Sequence, residues 1–82
     1  MLIDIKPLKK VRDAVIENQK IVDNHKKAAM HHEAAAIFHH EAARHQMSGN
    51  KDQACGCNVK AIGETKLASK AQKKNLKKHE TV

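Results

Sequence analysis

The stretch HHEAAAIFHHEAARHQMSGNKDQ, residues 31–53, decides how the chain folds. Its first seventeen residues hold five histidines and two glutamates among alanines, with no proline and no glycine. Alanine is the strongest helix former, so nothing in this run interrupts a helix. SGNKDQ (48–53) is the only strong punctuation after Pro7. Gly49 suits the residue after a helix end, and Asn50 with Gln53 three places on resembles a capping box. The stretch therefore reads as helix, corner, helix.

Working outward, the first helix is expected over about residues 5–47. It starts near Asp4, a plausible cap, with Pro7 tolerated in the first turn. After a turn at 48–51, a second helix is expected over about 51–79. Gly56 and Gly63 weaken it by about 1 kcal/mol each relative to alanine. The whole chain, 1–82, is then a single helical-hairpin domain. The fold class is all-α, an antiparallel two-helix hairpin.

Composition says how stable such a hairpin can be alone. The large aliphatics and phenylalanine number sixteen in 82 residues, beside twelve alanines. A core so thin usually needs a staple, and two cysteines make no disulfide framework. A homodimer forming a four-helix bundle is the expected remedy. It would cover Ile16, Met30 and Ile37 on the outer side of the first helix. The opening MLIDIKPLKK has no apolar signal core, and no transmembrane span is evident. A cytoplasmic location follows as the expectation, with Cys55 and Cys57 as reduced thiols and no membrane partner.

The pattern of the first helix is a heptad. Leu8, Val15, Val22, Ala29, Ala36 and Ala43 recur every seven residues, as do Ala14, Ile21, Ala28, Ala35 and Ala42. A third row, Val11, Asn18, His25, His32, His39 and Gln46, lies between these, so all three are expected to face the second helix. That helix answers with Ala54, Ala61 and Ala68, flanked by Cys57, Ala71 and Ile62. Folding at 48–51 pairs residue numbers that sum to about 100, which sets Ala61 near His39 and Ala68 near His32.

Within one helix, metal ligands must sit three or four apart to share an ion. His25, His32 and His39 are about 10.5 Å apart along the axis and fail that test. Only Glu41 and His45 meet it, and neither a Glu-x-x-His pair nor HExxH is present. Any transition-metal site, for Cu, Zn or Ni, must therefore lie between helices. The candidate ligands are His25, His32, His39, His45, Cys55 and Cys57, the last two brought together if Gly56 lets the backbone leave the helix. The plainer reading makes the seam imidazoles hydrogen-bonding groups, leaves His31, His40 and His45 in solvent, and packs the cysteines against alanine. No nucleophile, base and oxyanion hole converge on a cleft, so an enzyme is not expected.

Charge points to one further partner. The chain carries +7, of which residues 49–82 supply +5. Lys66, Lys70, Lys73, Lys74, Lys77 and Lys78 crowd the end of the second helix, a candidate track for nucleic-acid phosphates. No arginine or aromatic residue accompanies them to read bases, and a solvated face near a helix C-terminus is the plainer reading.

The run HKKAAMHHEAAAIFHHEAARHQMSGNKDQA, followed by Ala61, Gly63 and Ala68, resembles a group of short His- and Ala-rich bacterial proteins. These carry repeated His-His-Glu-Ala-Ala units, a Gly-Asn or Gly-Asp turn and a second alanine-rich helix. The resemblance covers about residues 25–71 and implies a helical hairpin of bacterial origin. It brings no activity, substrate or ligand with it. The second helix departs from the pattern, with Cys55, Cys57 and lysines where those proteins have histidines, so paired His ladders are not implied.

Overall fold

A computed structural model of the chain describes residues 5–80, with side chains described from 10 to 78. Two helices, α1 (Ile5–Met47) and α2 (Lys51–Glu80), pack against each other. The expected cap Asp4 and the side chain of Leu8 lie outside the described residues. The hairpin is a flat rod of 76 × 20 × 12 Å.

The corner closes through the backbone. The N–H groups of Ser48, Gly49 and Asn50 donate to the carbonyls of Arg44, Gln46 and His45 at 3.1, 3.1 and 2.8 Å. Gly49 makes this possible with φ of 80°, a left-handed conformation open to glycine at little cost. The Ala54 N–H then donates to the Asn50 carbonyl at 3.0 Å and starts α2. From there α2 runs unbroken through Gly56 and Gly63.

Burial along the helices alternates every three and four residues. On α1 the shielded positions include Glu17, Ile21, Asn24, Ala28, His31, Ala35, Phe38, Ala42 and His45, with Val22, Ala34 and Glu41 half-buried beside them. On α2 they include Ala54, Cys57, Ala61, Glu64, Ala68, Ala71, Asn75 and Lys78, with Ser69 half-buried beside them. Spacing of this kind is the seam of an antiparallel coiled coil. Ala61 and Ala68 are wholly buried at 0% exposure, and among the described residues no large side chain is. Methyl groups thus fill the space between the helices.

The expected seam needs correcting. Of its three rows, only that of Ile21, Ala28, Ala35 and Ala42 borders α2, with Ala14 exposed at its end. The Val15–Ala43 and His25–His39 rows are exposed, apart from the half-buried Val22, and so is Ile62. Their place is taken by the row Glu17, Asn24, His31, Phe38 and His45, on the other flank of the same alanines. Polarity hides most of this row from a hydrophobic reading, yet α2 supplies hydrogen-bonding partners for Glu17, Asn24 and His31. Asn24 Nδ2 donates to Asn75 Oδ1 at 3.0 Å, and Asn75 Nδ2 donates to the Ile21 carbonyl at 3.1 Å. His31 Nδ1 meets Glu64 Oε2 at 2.5 Å, and Lys78 Nζ donates to Glu17 Oε1. The residue numbers of the cross-helix pairs 24 with 75, 31 with 64 and 17 with 78 sum to 99, 95 and 95. The register is therefore shifted slightly from the expected value, and Ala61 and Ala68 stand level with Ala35 and Ala28.

Methyl-only packing leaves no room for a larger side chain. Ala68→Leu is expected to lower the unfolding free energy by about 1–3 kcal/mol. Gly63→Ala should raise it by about 1 kcal/mol, because a Cβ there meets no atom within 4 Å. Urea denaturation of the two variants beside the parent chain checks both signs.

Candidate functional site

The seam divides the hairpin into two long faces of opposite chemistry. One face carries the groove lined by Ala42, Ala43, Gln46, Lys51, Ala54, Cys55 and Asn58 near the corner. Following the heptads away from the corner, its α1 side presents His25, His32 and His39 beside Val15, Val22, Ala29, Ala36 and Ala43. Its α2 side presents Cys55, Ile62, Ser69 and Leu76 beside Asn58, Thr65 and Gln72. Lys51, at the corner, is the only ionised residue in these rows. Lys66 and Lys73 lie on the outer edge of α2, in a groove with Thr65, Ser69 and Lys70. The other face carries exposed lysines. Lys27, Lys70 and Lys74 border a groove there with Asn24, His31 and Leu67. Lys60 Nζ stands 5.7 Å over the Phe38 ring, a cation–π contact across the helices.

The six candidate metal ligands are dispersed. His25, His32 and His39 are exposed on the uncharged face, whereas His45 is half-buried in the seam. Cys55 is exposed on the uncharged face, and Cys57 points the other way. The Cys57 thiol lies 3.9 Å from Glu41 Oε2, long even for a sulfur donor. Because α2 stays helical through Gly56, the two thiols remain on different sides of the helix. Among the described residues, no group of three His, Cys, Asp or Glu side chains is gathered as a metal site would require.

The histidines that do meet α2 are His31 and His45, which the plainer reading leaves in solvent. The signal that finds them is complementarity between heptads. Every seventh residue from Glu17 on α1 is shielded, and so is every seventh from Ala54 and from Cys57 on α2. At matched heights an amide meets an amide, an imidazole a carboxylate and a carboxylate an ammonium. Among the described residues, no buried side-chain nitrogen or oxygen lacks a hydrogen-bond partner.

The lysines of the second candidate surface are arranged along one helix. Lys66, Lys70, Lys73, Lys74 and Lys77 are exposed, while Lys78 is half-buried against Glu17. Glu17 responds to that contact. The Lys78 hydrogen bond holds its carboxyl below the ordinary value of 4.5, against the opposing effect of desolvation, and the charges of Lys78 and Lys20 add to the lowering.

The site thus defined belongs to a class of non-enclosed helical surfaces. Set against protein-family models, curated proteins and solved structures, the chain matches none. Among the described residues, no helix is long and apolar enough to cross a membrane.

A carboxyl whose pKa is lowered by folding stabilises the fold above its unfolded value, and the contribution fades as pH falls through the folded one. Lys78→Ala should therefore move the Glu17 titration midpoint upward toward 4.5. Carboxyl-carbon NMR titration of the parent and variant reads this directly. An unchanged midpoint would show that Lys78 has no hold on Glu17.

Proposed function

We propose that the chain is a non-catalytic interaction module that works as half of a dimeric four-helix bundle. What supports the reading above all is surface. A folded monomer of 9.1 kDa is expected to expose about 4,900 Å². This hairpin exposes 6,792 Å², about 1,900 Å² more. That excess lies within the range each subunit of an obligate homodimer buries, about 1,000–2,500 Å². Equilibrium sedimentation tests the reading. The mass should be twice 9.1 kDa at tens of micromolar, and a 9.1 kDa species throughout would refute it.

Transition-metal binding is the sharper form of the same proposal. With the candidate ligands dispersed in one hairpin, Cu, Zn or Ni would be held by side chains from two copies, His25, His32 and His39 being the available imidazoles. Titration calorimetry on the reduced, tag-free chain should then give binding tighter than about 1 µM, with stoichiometry counted per dimer. Heat unchanged when the three histidines become alanine would remove metal from the reading.

A second reading is favoured by the exposed lysines of α2, three of which line one groove with Thr65 and Ser69. Association with nucleic acid through Lys66, Lys70, Lys73, Lys74 and Lys77 predicts log–log salt dependence with a slope of about −0.9 per phosphate neutralised. Replacing Lys73, Lys74 and Lys77 by alanine should flatten that slope by about 3. Fluorescence anisotropy of labelled duplex across a salt series separates this outcome from binding that ignores the three lysines.

A further inference from the structure

We propose that the uncharged face is the surface on which the second copy docks, with His25, His32 and His39 enclosed between the two hairpins. The inference rests on the dimeric reading above and adds where the contact lies.

Charge selects the face. Two chains of +7 repel wherever their lysines meet. The lysine-bearing side cannot approach its own copy without desolvating several ammonium groups, at a penalty nothing there offsets. On the opposite face Lys51, at the corner, is the only ionised group in the described rows, and Lys66 and Lys73 stand at its α2 edge beside Thr65 and Ser69. The imidazoles are level in the hairpin register with the amide and hydroxyl groups of Asn58, Thr65 and Gln72. Such a surface can meet a copy of itself without burying an unpaired charge.

Area and shape agree with a second copy as the occupant. The thirty residues of α2 run about 45 Å. Over the 20 Å width of the hairpin they outline a footprint of about 900 Å², against about 800 Å² per partner in a standard interface. The hairpin is 12 Å thick, one helix diameter. Two stacked hairpins therefore form a section two helices by two, which is that of a four-helix bundle. A lone peptide or single helix would leave much of this width uncovered. Ala29, Ala36 and Ala43 allow the copies to approach as closely as the seam alanines allow α1 and α2.

The competing surface is the outer row of α1, where Ile16, Met30 and Ile37 are exposed. Asp23 and Arg44 fall in that same row, so a copy docked there would bury two charges per chain. The apolar row is interrupted where the uncharged face is continuous.

Sedimentation equilibrium of the full chain and three variants decides between the faces, with far-UV circular dichroism confirming helix content. Ala36→Glu and Ile62→Glu place a carboxylate on the uncharged face at exposed positions, and each should weaken the dimer by at least about tenfold. Ile37→Glu, on the outer row, should leave it within about twofold. Dissociation by Ile37→Glu with the other two variants still dimeric would overturn this surface while leaving the dimeric reading standing. A parent chain that stays monomeric up to about 200 µM would overturn both. Imidazole NMR of the parent supplies a measurement free of variants. On raising the concentration, the His32 and His39 signals should shift and that of His40, on the other side of α1, should not. Equal shifts for all three would count against the assignment.

Discussion

The close approach of two backbones through alanine is the constraint from which the other features of this hairpin follow. A seam made of methyl groups buries little, on the order of 0.8 kcal/mol for each, and has no shape to set its register. Two alanine rows could slide past one another by a heptad and pack nearly as well. The polar members of the seam remove that freedom. Asn24 with Asn75, His31 with Glu64 and Glu17 with Lys78 are satisfied at one offset only. Slipping by seven residues would leave a buried amide without its partner, at about 1–3 kcal/mol.

The same constraint limits how far the hairpin can stand alone. With no large side chain fully enclosed among the described residues, the interior lacks the bulk that usually offsets chain entropy. The larger apolar groups, Val15, Ile16, Met30, Ile37, Ile62 and Leu76, are all left on the outside. Of these, Val15, Ile62 and Leu76 lie on the uncharged face, whereas Ile16, Met30 and Ile37 stand on the outer row of α1. Positive charge distributed along one side prevents a second contact from forming anywhere convenient.

The helices and the corner were legible in the sequence because local signals fix them: uninterrupted helix formers on either side, and Gly49 where a left-handed residue was needed. The seam was legible only in part. The row Ala14–Ala42 has repeating neighbours on both flanks. Valine and alanine on one flank look like core, whereas glutamate, asparagine and histidine on the other look like solvent. Only the second helix resolves the choice, since Glu64, Asn75 and Lys78 stand opposite the polar flank and nothing comparable stands opposite the other. Hydrophobicity measured one helix at a time contains no trace of this pairing. The same rotation carried His25, His32 and His39 out of the seam and into the open, and brought His31 in.

A small rotation about the helix axis therefore has large chemical consequences. Had the valine and alanine rows closed the hairpin, the apolar surface would have been spent internally, and Glu17, Asn24 and His31 would have joined the charged exterior. Closing on the polar row instead consumes groups that need partners and leaves behind a face that needs none. Polar pairing sets the register inside the hairpin, since each pair is specific. A smooth uncharged exterior suits association between hairpins, where the contact must form from two separately folded pieces with no charge to desolvate. Specificity within the chain is thus assigned to one row of the heptad, and the rows on the far flank of the seam alanines are left without internal pairing.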